Sequence, residues 1–218
     1  MNTKINLLIT LIVSIYTCTA CNNRSATAED KKDSSTLKTS TMGKDSMNMD
    51  NGMMGSMNAM MDKMNIVKMS GDFDVDFTNM MIEHHQGAIE MSEEEVKSGT
   101  DETIKGMAQN IISAQKEEIA RLRDFVKNYK PSGMKHGEGE LQKGMSGMMD
   151  AMKSMQMSGN IDKDFATMMI PHHENAVSMA RKELKYGMDA KLKQMAQKII
   201  DDQTKEINEF KNWLESKK

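Results

Sequence analysis

Four of the five histidines stand in two adjacent pairs, His84-His85 and His172-His173, and each pair follows a methionine three residues earlier, Met81 and Met169. At that spacing on a helix, thioether and imidazole lie one above the other on the same face. Soft sulfur with imidazole and no thiolate suits Cu(I), and by extension Ag(I), better than Zn, Mg or Fe. A di-iron bundle needs a Glu on each of two helices and Glu-x-x-His on the other two. Here Met-x-x-His-His stands in that place, so thioethers replace the hard carboxylates. His85 projects about 100° from His84, so one histidine of each pair is expected to face a bundle interior while its neighbour faces a groove.

These side chains need helices to carry them, and the hydrophobic period supplies them. Phe77, Met80, Met81, His84, His85, Ala88, Met91 and Val96 fall on one side of a helix of about six turns, with Glu83, Gln86, Glu90, Glu93 and Lys97 on the other. Asp74 or Asp76 is placed to cap its start, Gly99 to end it in a left-handed turn, and Asp101 to cap the next helix. That second helix is expected over Glu102 to Asn128, with Ile104, Met107, Ala108, Ile111, Ile112, Ile119, Leu122 and Phe125 on its apolar face.

Shifting the chain by 88 residues aligns Met57–Val126 with Met145–Leu214 without a gap, and 31 of the 70 pairs are identical. Two helical hairpins that cannot each cover an apolar face would pack as an all-α four-helix bundle. Before each hairpin lies a methionine-rich segment, Met53, Met54, Met57, Met60, Met61 and Met64 in the first copy and Met145, Met148, Met149, Met152 and Met155 in the second. Each is expected to form a short helix laid on the bundle. One helical face accommodates either set, so packing explains the spacing; it does not explain why Leu is so seldom used, and metal binding stands beside packing there. Met80, Met107, Met168 and Met195 read as core.

Gln115, Glu118, Gln203 and Glu206 interrupt apolar faces of the second helices. If the hairpin turns at Lys97–Glu102, Gln115 is level with His84 and Glu118 with Met81, and the second copy pairs Gln203 with His172 and Glu206 with Met169. Inward polar groups need partners. These four are placed to orient an imidazole from behind or to act as weak oxygen ligands.

The whole chain has 218 residues, 38% hydrophobic, with 27 methionines and 32 acidic against 29 basic side chains. That balance argues against a nucleic-acid partner. Residues 1–21 read as an export leader, with Lys4, an apolar run from Ile5 to Tyr16, and small residues before Cys21. Cys18-Thr19-Ala20-Cys21 looks like a bacterial lipobox in which Cys21 is lipidated, with Cys18 in place of the usual Leu. Both cysteines therefore lie outside the folded part, whose soft ligands must be methionine or histidine. Residues 22–50 read as a disordered polar tether, 51–130 as the first repeat, 131–143 as a loop containing His136, a surface residue, and 144–218 as the second repeat.

Two copies of Met-x-x-His-His-x-x-Ala-x-x-Met, each followed by Met-Ala-Gln-x-Ile-Ile-x-x-Gln-x-x-Glu-Ile, resemble domain-of-unknown-function family 305, which includes CopM-like periplasmic copper-binding proteins. The resemblance spans about residues 57–214. It implies a ferritin-like four-helix bundle that binds copper or silver through methionine and histidine and supports metal tolerance outside the cytoplasm. Carried over by position, the ligands would be Met81, His84, His85 and Met91, and Met169, His172, His173 and Met179. Glu83 departs from the pattern, because the family and this chain's own second copy (Pro171) place proline there. A mid-helix proline costs about 3 kcal/mol and frees the carbonyl of Thr167, so the first copy is expected to aim its histidines differently. The resulting expectation is a lipid-anchored, non-catalytic Cu(I) or Ag(I) chaperone or sequestering protein of the cell envelope, whose copper donor or acceptor is unknown. A redox enzyme using the same site and a methionine-rich interaction protein are the alternatives.

Overall fold

The computed structural model describes residues 46–218 apart from 132, 136 and 138. The leader, Cys21, the tether up to residue 45 and His136 lie outside the described residues. The described residues form six helices in order: α1 (Ser46–Ile66), α2 (Phe73–Ser98), α3 (Glu102–Asn128), α4 (Glu140–Lys153), α5 (Ile161–Tyr186) and α6 (Ala190–Ser216). Among the described residues there is no strand, and no helix is long and apolar enough to cross a membrane. The chain is all-α, with α2–α3 and α5–α6 forming hairpins that pack through α2 and α5 into a four-helix bundle. α3 has the bounds its period predicts. α1 starts inside the stretch read as tether, and α4 starts inside the stretch read as loop.

The helix starts differ from expectation in an informative way. Asp72, rather than Asp74 or Asp76, caps α2 by accepting from the Val75 amide. Asp76 instead holds the preceding Ser-Gly turn, accepting from Ser70 N at 2.7 Å and Gly71 N at 3.0 Å, and Asp164 does the same for Ser158 and Gly159. Asp74 reaches into the other repeat, where it accepts from the amides of Met188 and Asp189 at the start of α6. Asp162 returns the contact, accepting from Thr100 N and Asp101 N, both at 2.8 Å. Each repeat therefore fixes the hairpin turn of its partner, with the turn amides just before α3 and α6 satisfied across the repeat boundary while each of these helices is capped by its own Asp101 or Asp189.

Gly99 and Gly187 do not adopt the left-handed conformation expected of Gly99; both are extended, with φ of −65° and −62°. Glycine is needed for space. A Cβ at either position would collide with the carboxyl group of Glu95 or Glu183, one turn earlier in the helix.

The core is continuous across the repeats and includes Phe77, Phe165 and Phe210, each with no exposed surface. Burial of each such side chain contributes about 1.5–3 kcal/mol. Met80 and Met168 are core as expected, while Met107 and Met195 are only partly buried at its margin. The two methionine-rich helices add a further layer: α1 packs on α2 and touches α5, and α4 packs on α5.

Candidate metal centre

His84 and His172 occupy the same position in the two repeats, and they meet each other with ring centroids 3.8 Å apart and planes inclined by 42°. Equivalent residues touch in this way only beside a two-fold axis, so the bundle's internal symmetry brings the imidazoles together. All four paired histidines are 0% exposed. Burial first, then the neighbouring histidines, hold His84 and His172 well below the usual histidine value, so both are neutral near pH 7. Neutral imidazole is the metal-binding form.

The third member comes from outside the hairpins. The Met60 sulfur of α1 lies 3.2 Å from His172 Nε2, in a contact whose donor depends on the imidazole tautomer. Met60 gets there because α2 carries Gly87 under it: a Cβ at that position would meet Met60 Cβ, Cγ and Sδ at 2.7 Å. Sequence spacing places Met60 on a methionine face without singling it out. The available signal was glycine in the middle of a helix, where it costs about 1 kcal/mol and so calls for a packing reason.

Both histidines of each pair are enclosed, contrary to the expectation that one would face a groove. His85 and His173 turn toward their own hairpin partners, with Nε2 2.9 Å from Glu118 Oε2 and from Glu206 Oε2. The separations suit hydrogen bonds, but the angles are not in line. The expected level of Glu118 with Met81 and Glu206 with Met169 is thus about one turn off. On antiparallel helices each side chain leans toward its own N-terminus, which moves the histidine and the glutamate in opposite directions along the hairpin. Burial opposes ionisation of Glu118, but His85, Lys198 and Arg121 together hold its carboxyl below the usual range. The two copies match at this contact, so Pro171 against Glu83 does not re-aim His85 relative to His173.

Gln115 and Gln203 are inward, each 2% exposed, and line a cleft of about 170 Å³ between α3 and α6 together with Glu118 and Glu206. Among the described residues their side-chain amides have no hydrogen-bond partner, nor do either of the ring nitrogens of His84 or the Nδ1 of His172. Met81, Met91, Met169 and Met179 are all buried. Met81 and Met169 precede the central histidines by one turn, whereas Met91 and Met179 lie about 10 Å further along the axis. Among the described residues, no group of three or more His, Cys, Asp or Glu side chains is arranged to hold an ion unaided. The donors that do converge, neutral imidazoles beside a thioether, fit a soft monovalent ion.

A family model described as "Domain of unknown function (DUF305)" matches residues 22–126 and again 127–214. Among solved structures, CopM in its Cu(II)-bound form is 31% identical with a TM-score of 0.52, over 66% of this chain and 97% of that one. CopM is also solved in Cu(I)-bound and Ag-bound forms. A DUF305 fragment from Deinococcus radiodurans shares the fold at 20% identity, with a TM-score of 0.51 over 66% of this chain and 96% of that one. An uncharacterized protein of Acanthamoeba polyphaga mimivirus is 39% identical over 57 residues, 26% of this chain; the match spans 38% of that relative's length.

Proposed function

The chain belongs to the DUF305 family, and from that premise we propose that it binds Cu(I) or Ag(I) as cargo between its two repeats, sequestering or chaperoning the ion in an extracytoplasmic compartment without catalysis. The observation that carries this reading is the His84–His172 pair with the Met60 sulfur against it, buried and neutral. Met81 and Met169, one turn away, complete a set in which sulfur and imidazole outnumber oxygen. His85 and His173, with Met91 and Met179, extend the same core outward and are the candidates for further ions. Glu118 and Glu206 orient the outer imidazoles, as carboxylates commonly do for metal-bound histidine. The CopM structures with copper and silver bound support the choice of metal, and the leader read over residues 1–21 supports the compartment.

Competition titration of the mature protein under reductant tests the reading. Cu(I) and Ag(I) should bind far more tightly than Zn(II), which prefers thiolate, imidazole and carboxylate. Preference for zinc, or no uptake of any of the three, would overturn it.

A further inference from the structure

The proposed ion site is closed on every described side, and the geometry points to the cleft between α3 and α6 as its loading route: we propose that a hydrated cation is collected there by carboxylates and amides and passed to the histidines. This inference rests on the function proposed above. Glu118 and Glu206 join the two regions, since they line the cleft and at the same time stand 2.9 Å from His85 and His173. They are the wall between the cleft and the imidazoles. Behind the mouth, Gln115 and Gln203 are each 2% exposed, and among the described residues neither amide atom of either has a partner. Orphaned buried amides are costly, and two related copies lining one cleft give an aquated ion oxygen contacts to exchange for its water.

The charge balance favours cations. Asp202 and Glu209 line the cleft with Glu118 and Glu206, four carboxylates against two ammonium groups: Lys205, which lines the cleft and pairs with Glu209, and Lys198, which pairs with Asp202 and stands 4.0 Å from Glu118. At about 170 Å³ the cleft has room for on the order of five waters, enough for an ion with part of its shell. Oxygen donors hold Cu(I) and Ag(I) weakly. The cleft therefore collects and releases the ion, and the imidazoles and thioethers beyond it retain it.

Loading kinetics separate this route from the binding site itself. Cu(I) is transferred to the full-length protein from a coloured Cu(I) chelator in a stopped-flow instrument, and the equilibrium affinity is measured by titration with the same chelator. The double variant Asp202→Asn, Glu209→Gln, whose changes are at the mouth, should load about tenfold more slowly at low ionic strength with unchanged affinity. Its rate should also depend less on salt than the wild-type rate. Ala114→Trp, on the cleft wall, should slow loading further at every salt concentration, again at unchanged affinity. Circular dichroism confirms that each variant is folded. Wild-type loading rates in both folded variants, with wild-type affinity, would overturn the route and leave the binding site standing. Failure of the wild type to take up Cu(I) at equilibrium would instead overturn the function on which the route rests.

Discussion

The two methionine-rich helices began from the same repeat and now do different things. α1 lies over Gly87 and delivers Met60 to His172, a histidine of the other repeat. α4 faces Asn175 at the equivalent position of α5, and that asparagine donates to the Gly144 carbonyl, while Lys182 donates to the carbonyl of Glu140. One residue in the underlying helix separates these outcomes. Without a Cβ the methionine backbone approaches closely enough for sulfur to reach the imidazole; with an amide side chain the helix is pinned by its own carbonyls. Identical histidine motifs therefore do not imply identical sulfur supply, and the centre is asymmetric although the bundle that carries it is nearly symmetric.

The comparison breaks most severely if α2 is given the second repeat's residue. Gly87→Asn should push α1 off α2, cost about 1–3 kcal/mol of stability through overpacking, and lower Cu(I) affinity by about a hundredfold, roughly 2.7 kcal/mol. Asn175→Gly should leave affinity within about twofold, the limit of a titration error. Thermal unfolding and chelator competition measure both; equal effects would mean that α1 and α4 are equivalent after all.

A gentler test removes sulfur without moving the helix. Met60→Leu nearly conserves volume and should cost under about 1.5 kcal/mol of stability but about tenfold in Cu(I) affinity. Met148→Leu, at the matching position of α4, should change neither. Met81→Leu with Met169→Leu should also weaken Cu(I) binding by several-fold at little cost to folding, and unchanged affinity would assign those two methionines to the core.

The smallest expected effect concerns a feature the repeats share. Glu95 and Glu183 are 0% exposed, and burial, with Asp162 beside Glu95 and Asp74 beside Glu183, pushes them up to about 8 and about 9. Both folded-state values lie above the unfolded value, so their contribution is full at pH below about 4.5 and is lost as the pH rises toward 8–9. Unfolding temperature should therefore fall between pH 5 and pH 9. Glu95→Gln and Glu183→Gln keep an N–H in place of the carboxyl proton and should flatten that fall by a few degrees, on the order of 2–4 °C per kcal/mol for a chain of this size. An unchanged slope in the double variant would place the pH dependence elsewhere.

Much of this is legible in the amino-acid sequence. The period fixed the bounds of α3 and most of the inward face of α2, because amphipathic spacing is a local property of the helix that carries it; Ile82, Gly87, Ile89, Ser92 and Glu95, outside that face, are buried as well. Inward placement of one histidine of each pair, of Gln115 and of Gln203 followed from the same pattern, whereas burial of the second histidine did not. Other assignments turned on distant residues. Asp74 looks like a helix cap from its position, yet it serves the start of α6, 114 residues away along the chain. Gly99 looks like a left-handed terminator, yet the space it leaves belongs to the Glu95 carboxyl.

The amino-acid order by itself determined that this chain forms two related helical hairpins with soft donors on their buried faces, since residue type and spacing set propensity, period and ligand chemistry. Only the tertiary structure decided that His84 meets His172, that Met60 joins them, and that Glu118 stands on His85 rather than on Met81. Periodicity says which residues share a face; it does not say which residue of another helix comes opposite, because that depends on symmetry, on the lean of each side chain and on where a missing Cβ lets two backbones approach.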